Sequence, residues 1–429
     1  MAYKSNLFPS GVSTLENAFF NKDYLLEDTF KLQNGYLWAV GEARYGGTLL
    51  DFHNPFWPSG VAAYSSPVQL ISPSSWKEVA SLAPYNQFIG ANREFVAGIK
   101  TDGTLWTWGS NTKLTTASVA RSSPIQIGTS RGWLKVQTGS GFNVHAIRHP
   151  GTLWGWGLNE NGEIGDGTRI GRSSPVQIGS GIDWLDISHG FTGPVAALKE
   201  NGTLWTWGHN LSGALGHGDT TSRSSPTQVG TATNWKKVSV GSTNIAAIKT
   251  DGSLWMSGKN LEGVLGNNQN TAYDTNVFEQ IAVDTVWKEV TLGGKDADPT
   301  FASYSRDQTA YAIDVNNNLW NWGRYLTGAS GPRSSPVQLT SFGNGWKTVK
   351  SAYNANVGIK TDGSLWTWGD SAAGPDAFGF NNFNTGQYLP SQALIGTKGK
   401  WKKIDISKSG SGVNFGHQYG AGNIFVIEK

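Results

Sequence analysis

The sequence contains no cysteine, so disulfides, thiolate nucleophiles and cysteine-ligated zinc are excluded together. Charge is sparse: Lys+Arg 34 and Asp+Glu 31 amount to 15% of residues and a formal net charge of +3. The basic residues are scattered and form no Lys/Arg run, so the totals point to no nucleic-acid partner. No uninterrupted apolar stretch is long enough to span a bilayer. The opening segment MAYKSNLFPSGVSTLENAFF lacks the continuous apolar core of a signal peptide, and the expectation is a protein made in the cytoplasm without an export signal of its own. Helical periodicity is missing. So are the phosphate-cradling G-x-x-x-x-G-K-[ST] loop and any HExxH pattern. The histidines, His53, His145, His149, His189, His209, His217 and His417, show no metal-ligand spacing. Glu160, Glu163 and Asp166 share one loop, but their spacing fits no EF-hand, and a solvated turn is the reading. No catalytic, cofactor or metal residue is assigned, and the chain is not read as an enzyme.

What the chain has instead is 56 glycines, 20 tryptophans and three recurring phrases. The first phrase, DGTLWTWG at Asp102–Gly109 and its variants, places a tryptophan at Trp38, Trp106, Trp154, Trp205, Trp255, Trp320 and Trp366, at intervals of 68, 48, 51, 50, 65 and 46 residues. A second tryptophan follows at Trp108, Trp156, Trp207, Trp322 and Trp368. The second phrase is [R]SSPxQ[IVL], as in Arg172–Ile178; the recurrence of Arg121, Arg172, Arg223 and Arg333 before it indicates a structural contact with a carbonyl or carboxylate. The third phrase sets Trp76, Trp133, Trp184, Trp235, Trp287, Trp346 and Trp401 three residues before Val or Ile. Trp57 alone stands outside the repeat. Such regularity assigns the tryptophans a packing role.

Each phrase reads as a strand. AIKTDGSLWMSG, Ala247–Gly258, is an apolar run, a two-residue Asp-Gly turn and another apolar run, a strong hairpin signal. Alternation along a strand sends Trp106 and Trp108 to one side and Leu105 and Thr107 to the other, so both faces should be covered. Four short strands per unit of about 50 residues describe a propeller blade. The order W-x-x-V … A-x-K-x-D-G-x-L-W-x-W-G-x-N-x-x-G-x-x-G … P-x-Q-I resembles the regulator of chromosome condensation repeat family, here in a divergent form of prokaryotic or phage type, from about Thr29 to the C-terminus. That resemblance implies an all-β, seven-bladed propeller of four-stranded antiparallel blades. It implies function poorly: members include a nucleotide exchange factor for a small GTPase, a plant ultraviolet photoreceptor and a bacterial β-lactamase inhibitor, and most present loops to a protein partner. The photoreceptor's Gly-Trp-Arg-His-Thr phrase is not in this sequence.

The hairpin Phe30–Gly41 has no W-x-x-V strand before it, and the degenerate hairpin Asn414–Lys429 ends the chain, so the N- and C-terminal segments are expected to close the ring in one blade. Eight hairpins leave an eight-bladed ring or an extra outer strand open. Residues 1–28 are read as an arm and 29–429 as the propeller. Departures from the repeat mark candidate partner-binding loops. The interval from the W-x-x-V tryptophan to the next LW tryptophan is 20 or 21 residues in four units, but 30 between Trp76 and Trp106 and 33 between Trp287 and Trp320. Two other insertions follow the tryptophan strand near the chain ends. Together they supply Phe52, Phe56 and Trp57; Tyr85, Phe88 and Arg93; Asp296, Phe301, Tyr304 and Arg306; and Phe378, Phe380 and Phe383. Aromatics in loops mark protein contacts more often than catalysis. The expected function is a non-enzymatic structural or protein-binding propeller, best placed as a bacteriophage virion component of tail or capsid, assembled in the host cytoplasm from protein subunits that the N-terminal arm helps join. The alternatives are a bacterial surface or inhibitor-like binding protein, extracellular or cytoplasmic, and a small-GTPase regulator.

Overall fold

Each Asp-Gly or Asn-Gly turn folds back one strand on the next. Asp102 shows how: its Oδ1 accepts from the backbone N–H and the hydroxyl of Thr104, at 3.0 and 2.6 Å, and so fixes the turn between the strands Phe95–Lys100 and Leu105–Gly109. The computed structural model describes residues 37–42, 63–69, 76–83, 85–86, 91–92, 95–109, 121–139, 143–190, 193–210, 212–269, 274–294, 308–324, 332–352, 355–370, 388–396, 401–406, 408–409, 413–414, 417–418 and 424–428, all within the unit Gly35–Lys429.

Among the described residues, six sheets are four-stranded and antiparallel. Five are meanders of consecutive strands, spanning 133–177, 184–228, 235–281, 287–338 and 346–396. The sixth is assembled from both ends of the sequence, in the order Ala63–Gln69, Leu37–Glu42, Ile424–Glu428, Trp401–Ile406. Leu37–Glu42 pairs antiparallel with Ile424–Glu428, Ala39 opposite Phe425. The expectation of seven four-stranded blades is therefore corrected to six. The strands Trp76–Ala83, Phe95–Lys100, Leu105–Gly109 and Arg121–Gln126 form a sheet with a fifth member, Lys408–Ser409, which pairs in parallel with Leu82 and Ala83. The physical reason is local: Lys408–Ser409 follows directly on Trp401–Ile406, the strand beside Trp76–Ala83, and covers the backbone edge at Leu82 and Ala83.

The W-x-x-V strands are the inner ones. Each lies against the W-x-x-V strand of the neighbouring sheet, in the succession 76–83, 133–139, 184–189, 235–240, 287–294, 346–351 and 401–406, and 401–406 also lies against 76–83. Polar bonds tie these neighbours: Val240 N–H donates to Ser188 Oγ at 3.0 Å, Leu292 N–H to Ser239 Oγ at 3.0 Å, and Ser81 N–H to Asp405 Oδ2 at 2.8 Å.

A tryptophan and a valine three residues apart would face opposite sides of a regular strand. Here they face the same side, because every inner strand carries a β-bulge between its tryptophan and the second residue after it. The bulge inserts one unpaired residue and restores the face. A second bulge recurs beside the glycine that ends the tryptophan strand, as at Gly208, which pairs with Arg223. Gly208 has φ +88° and a Cβ there would stand 2.2 Å from the Gly193 carbonyl oxygen, so only glycine fits.

The core lies between sheets. In each of six apolar clusters one sheet supplies indoles and the sheet before it supplies the leucine of its own LW phrase. Trp133 and Trp156 pack on Phe95, Ile99 and Leu105; Trp184 and Trp207 pack on Ile147, Leu153 and Ile178.

Candidate functional site

Of the candidate partner-binding residues, Tyr85 belongs to a described strand, Tyr85–Asn86, which pairs with Ala91–Asn92. Phe52, Phe56, Trp57, Phe88, Arg93, Asp296, Phe301, Tyr304, Arg306, Phe378, Phe380 and Phe383 lie outside the described residues. Topology fixes which described strand ends these segments join. In a four-stranded meander, the first-to-second and third-to-fourth connections leave from the same end of the sheet. Residues 84–94 and 295–307 are connections of the first kind, and 43–62 and 371–387 of the second. All four lengthened segments therefore join strand ends on one face. The segment 407–423, which links Trp401–Ile406 to Ile424–Glu428, leaves from that face as well.

The repeat tryptophans divide into three stations. Those of the W-x-x-V phrase are buried: Trp76, Trp133, Trp184, Trp235, Trp287, Trp346 and Trp401. So are the second tryptophans of the LW phrase, Trp108, Trp156, Trp207, Trp322 and Trp368. The first ones, Trp106, Trp154, Trp205, Trp255, Trp320 and Trp366, are half-buried. The lysine of A-x-K sits over two indoles at once: Lys199 Nζ is 4.8 Å from the rings of both Trp184 and Trp205, and Lys249 Nζ is 4.8 Å from Trp235 and 3.9 Å from Trp255. The exposed edge of each first indole is satisfied locally. Trp205 Nε1 donates to Thr203 Oγ1 at 2.8 Å, and that hydroxyl donates to Asn201 Oδ1 at 2.7 Å. In the sheet 287–338 the lysine is replaced by Asp314, whose Oδ2 accepts from Trp320 Nε1 at 3.0 Å.

The loop after the tryptophan strand is zipped by a buried asparagine. Asn210 Oδ1 accepts from Leu215 N–H at 2.9 Å while its amide donates to the carbonyls of Asp219 and Thr221; Asn159 and Asn260 act alike. Each loop then reaches the next sheet. Trp207 Nε1 donates to Glu163 O at 2.8 Å and Trp322 Nε1 to Val264 O at 2.7 Å. In the LWMSG phrase the second tryptophan is missing, and Ser257 Oγ makes the corresponding bond to Ala214 O at 2.6 Å. Phe278, from the divergent phrase Thr275–Ile281, lies 5.6 Å from the Trp235 ring.

The carboxylates of the acidic loop are bound internally. Asp166 pairs with Arg172 at 2.6 Å; burial pushes its pKa up, but bonds from Thr168 and Arg172 outweigh that and hold it below the ordinary value. Glu163 accepts from Asn161 N–H at 2.8 Å. Arg223 likewise grips both oxygens of Asp219, at 3.0 and 2.8 Å, and holds its pKa at about 2. These two arginines thus have the carboxylate partner the repeat suggests. His145 and His189 are both fully buried and meet edge to face at 5.0 Å, 5.7 Å from His145 to the Trp207 ring. Burial lowers His145 to about 4, so it is neutral at pH 7.

Charge that looks dispersed in the sequence is collected on the inner strands. Lys135 pairs with Asp186 at 2.6 Å and Lys403 with Glu78 at 2.8 Å, each across a sheet boundary, and Thr348 Oγ1 donates to Glu289 at 2.6 Å across another. The dipeptide Trp-Lys at 76, 235, 287, 346 and 401 is the sequence signal that marks this zone.

The regulator of chromosome condensation (RCC1) repeat matches residues 201–248. Over the whole chain, human WBSCR16 superposes with a TM-score of 0.71 at 14% identity, covering 92% of this chain and 99% of that one. Prp20p from Saccharomyces cerevisiae, described with its binding to Gsp1p and histones, gives a TM-score of 0.69 at 14% identity over 93% of this chain and 92% of its own. Yeast RCC1 (Prp20) bound to Kap60 gives 0.70 at 12% identity, covering 100% of this chain and 96% of that one. At these identities the likeness is one of fold, and by fold the chain is an RCC1-like β-propeller.

Proposed function

We propose that the chain is a non-enzymatic, protein-binding propeller whose sheets, the five-stranded one included, close into a seven-membered ring at the sheet shared by the two ends of the sequence. The observation that carries the binding role is the placement of four lengthened, aromatic-bearing connections on one face of the sheets. A repeat scaffold that keeps the first-to-second connections 140–142, 190–193, 241–243 and 352–354 to a few residues has this face as its variable surface. The fold likeness to Prp20p and to the Kap60-bound structure supports protein partners. Ring closure is supported by the pairing of Leu37–Glu42 with Ile424–Glu428 and by the contact of 346–351 with 401–406.

Among protein partners we favour other virion subunits, with assembly in a host cytoplasm and residues 1–28 as the joining arm. The grounds are the cysteine-free composition and the leading segment outside the repeat. The experiment exchanges residues 84–94 and 295–307 for the short connection 140–142 of the sheet 133–177. The partner recovered with the full chain should be lost while thermal stability is retained; undiminished recovery would reject this face as the binding surface. Co-sedimentation with virions tests the narrower assignment, and recovery only in the free fraction would reject it.

A further inference from the structure

The inner strands begin with a feature the totals conceal. Directly after the tryptophan stands Lys77, Lys236, Lys288, Lys347 or Lys402 in five strands, and Leu134 or Leu185 in the other two. These are the residues inserted by the bulge, so none pairs in the ladder; Leu134 packs in part against the cluster that holds Trp184, and Lys288 Nζ donates to Asn317 Oδ1. In the order in which the sheets touch, Lys236, Lys288, Lys347, Lys402 and Lys77 follow one another without interruption, and the two leucines are neighbours in the remaining gap. Leu185 is 40% exposed.

The cations are mutually close. Burial lowers the Lys288 pKa, Glu289 and Asp314 oppose that, and Lys237 and Lys347 on the flanking strands lower it further. A cavity of about 240 Å³ opens among Lys347, Lys350, Lys402 and Lys403, with Glu78 and Glu289 at its wall. Both carboxylates are engaged, Glu78 by Lys403 and Glu289 by Thr348. Lys236, Lys237, Lys347 and Lys350 make no ion pair among the described residues. The lysines stand at the starts of the inner strands, and the long connections 84–94 and 295–307 leave from their ends, so the two features occupy opposite faces.

We propose that this second face binds an acidic, leucine-bearing segment of a partner protein at the mouth of the ring, carboxylates on the lysine arc and an aliphatic side chain on Leu134 and Leu185. The inference rests on the ring reading above. A peptide fits better than a nucleic acid because the basic arc is short, curved and flanked by Glu78, Asp186 and Glu289, whereas a phosphate backbone is met by a long basic track. An apolar notch beside cations suits a chain that alternates carboxylates with an aliphatic anchor.

The test uses the full chain and fluorescein-labelled peptides of mixed Asp and Glu, one with a central Leu-Leu and one with Gly-Gly, read by anisotropy, with inorganic polyphosphate and duplex DNA as competitors. The Leu-Leu peptide should bind more tightly than its Gly-Gly counterpart and weaken with salt. Lys347→Glu with Lys402→Glu should weaken it about tenfold or more, with the melting temperature unchanged. Lys347→Gln with Lys402→Gln gives a smaller loss in the same direction and serves if the charge reversal disturbs folding. Leu185→Ser should remove the preference for leucine. Indifference to the lysine substitutions, equal binding of the two peptides, or displacement by duplex DNA or polyphosphate at lower concentration than by unlabelled peptide would overturn the proposal. Because the loop exchange at 84–94 and 295–307 concerns the other face, failure here leaves that reading standing, and the reverse.

Discussion

An ammonium group lies over two indole rings at Lys100, Lys199, Lys249 and Lys360. Replacing Lys199 with methionine keeps the apolar stem and deletes the charge shared by Trp184, Trp205 and Asp183. A loss of about 1 kcal/mol in a urea titration is expected, and none would show the contact to be geometric only. His145 makes a prediction in pH. Its folded pKa of about 4 lies below the ordinary histidine value of 6.5, so the unfolded chain takes up the proton first as pH falls. Its contribution is thus intact above pH 6.5 and declines toward pH 4, by at most about 1.4 kcal/mol per pH unit. Denaturation midpoints of wild type and His145→Gln should converge across that window; parallel curves would contradict it. Glycines separate by surroundings. Gly208→Ala meets a carbonyl and should cost more than about 2 kcal/mol, whereas Gly179, at φ +62° with nothing within 4 Å, should cost about 1. The tryptophans were legible because their period is. The lysines over them were not, since A-x-K reads only as the flank of a turn until a second strand brings the other indole alongside.

At the scale of the element the decisive device is the bulge. Without it, Trp235 and Val238 could not share a face, and the indole would leave the interface with Leu204 and Leu215. Deleting Lys236 should therefore destabilise the protein by several kcal/mol in thermal melting, about the cost of a buried tryptophan, while Lys236→Ala stays within about 0.5 kcal/mol. Equal effects would mean the inserted residue has no register role. The odd spacing of W-x-x-V signals this bulge, since regular alternation would turn its tryptophan and valine to opposite faces. The hairpins were readable from Asp-Gly. The fifth strand of the sheet containing Trp76 was not, because Lys408–Ser409 belongs to no repeat and pairs with an edge distant in sequence. Divergent phrases also explain themselves only in three dimensions: Ser257 and Phe278 look like two independent losses of pattern, yet one keeps the loop bond and the other packs on Trp235.

At the scale of the whole molecule, indoles of one sheet are set against leucines of the one before, and in the proposed ring this succession returns to its own beginning. The two faces proposed to bind partners, aromatic connections on one and a lysine arc on the other, follow from that geometry. The first was legible as insertions in a strict period; the second was hidden because its members are about one repeat apart and charge totals average them away. Ring closure is open to a direct measurement in a chain with no native cysteine. Ala39 and Phe425 are register partners across the junction, while Ala39 and Val337 belong to different sheets. Under mild oxidation, Ala39→Cys with Phe425→Cys should form an intramolecular disulfide in most of the monomer, and Ala39→Cys with Val337→Cys should not. Absence of the first cross-link, or its formation only between separate chains, would contradict a closed ring.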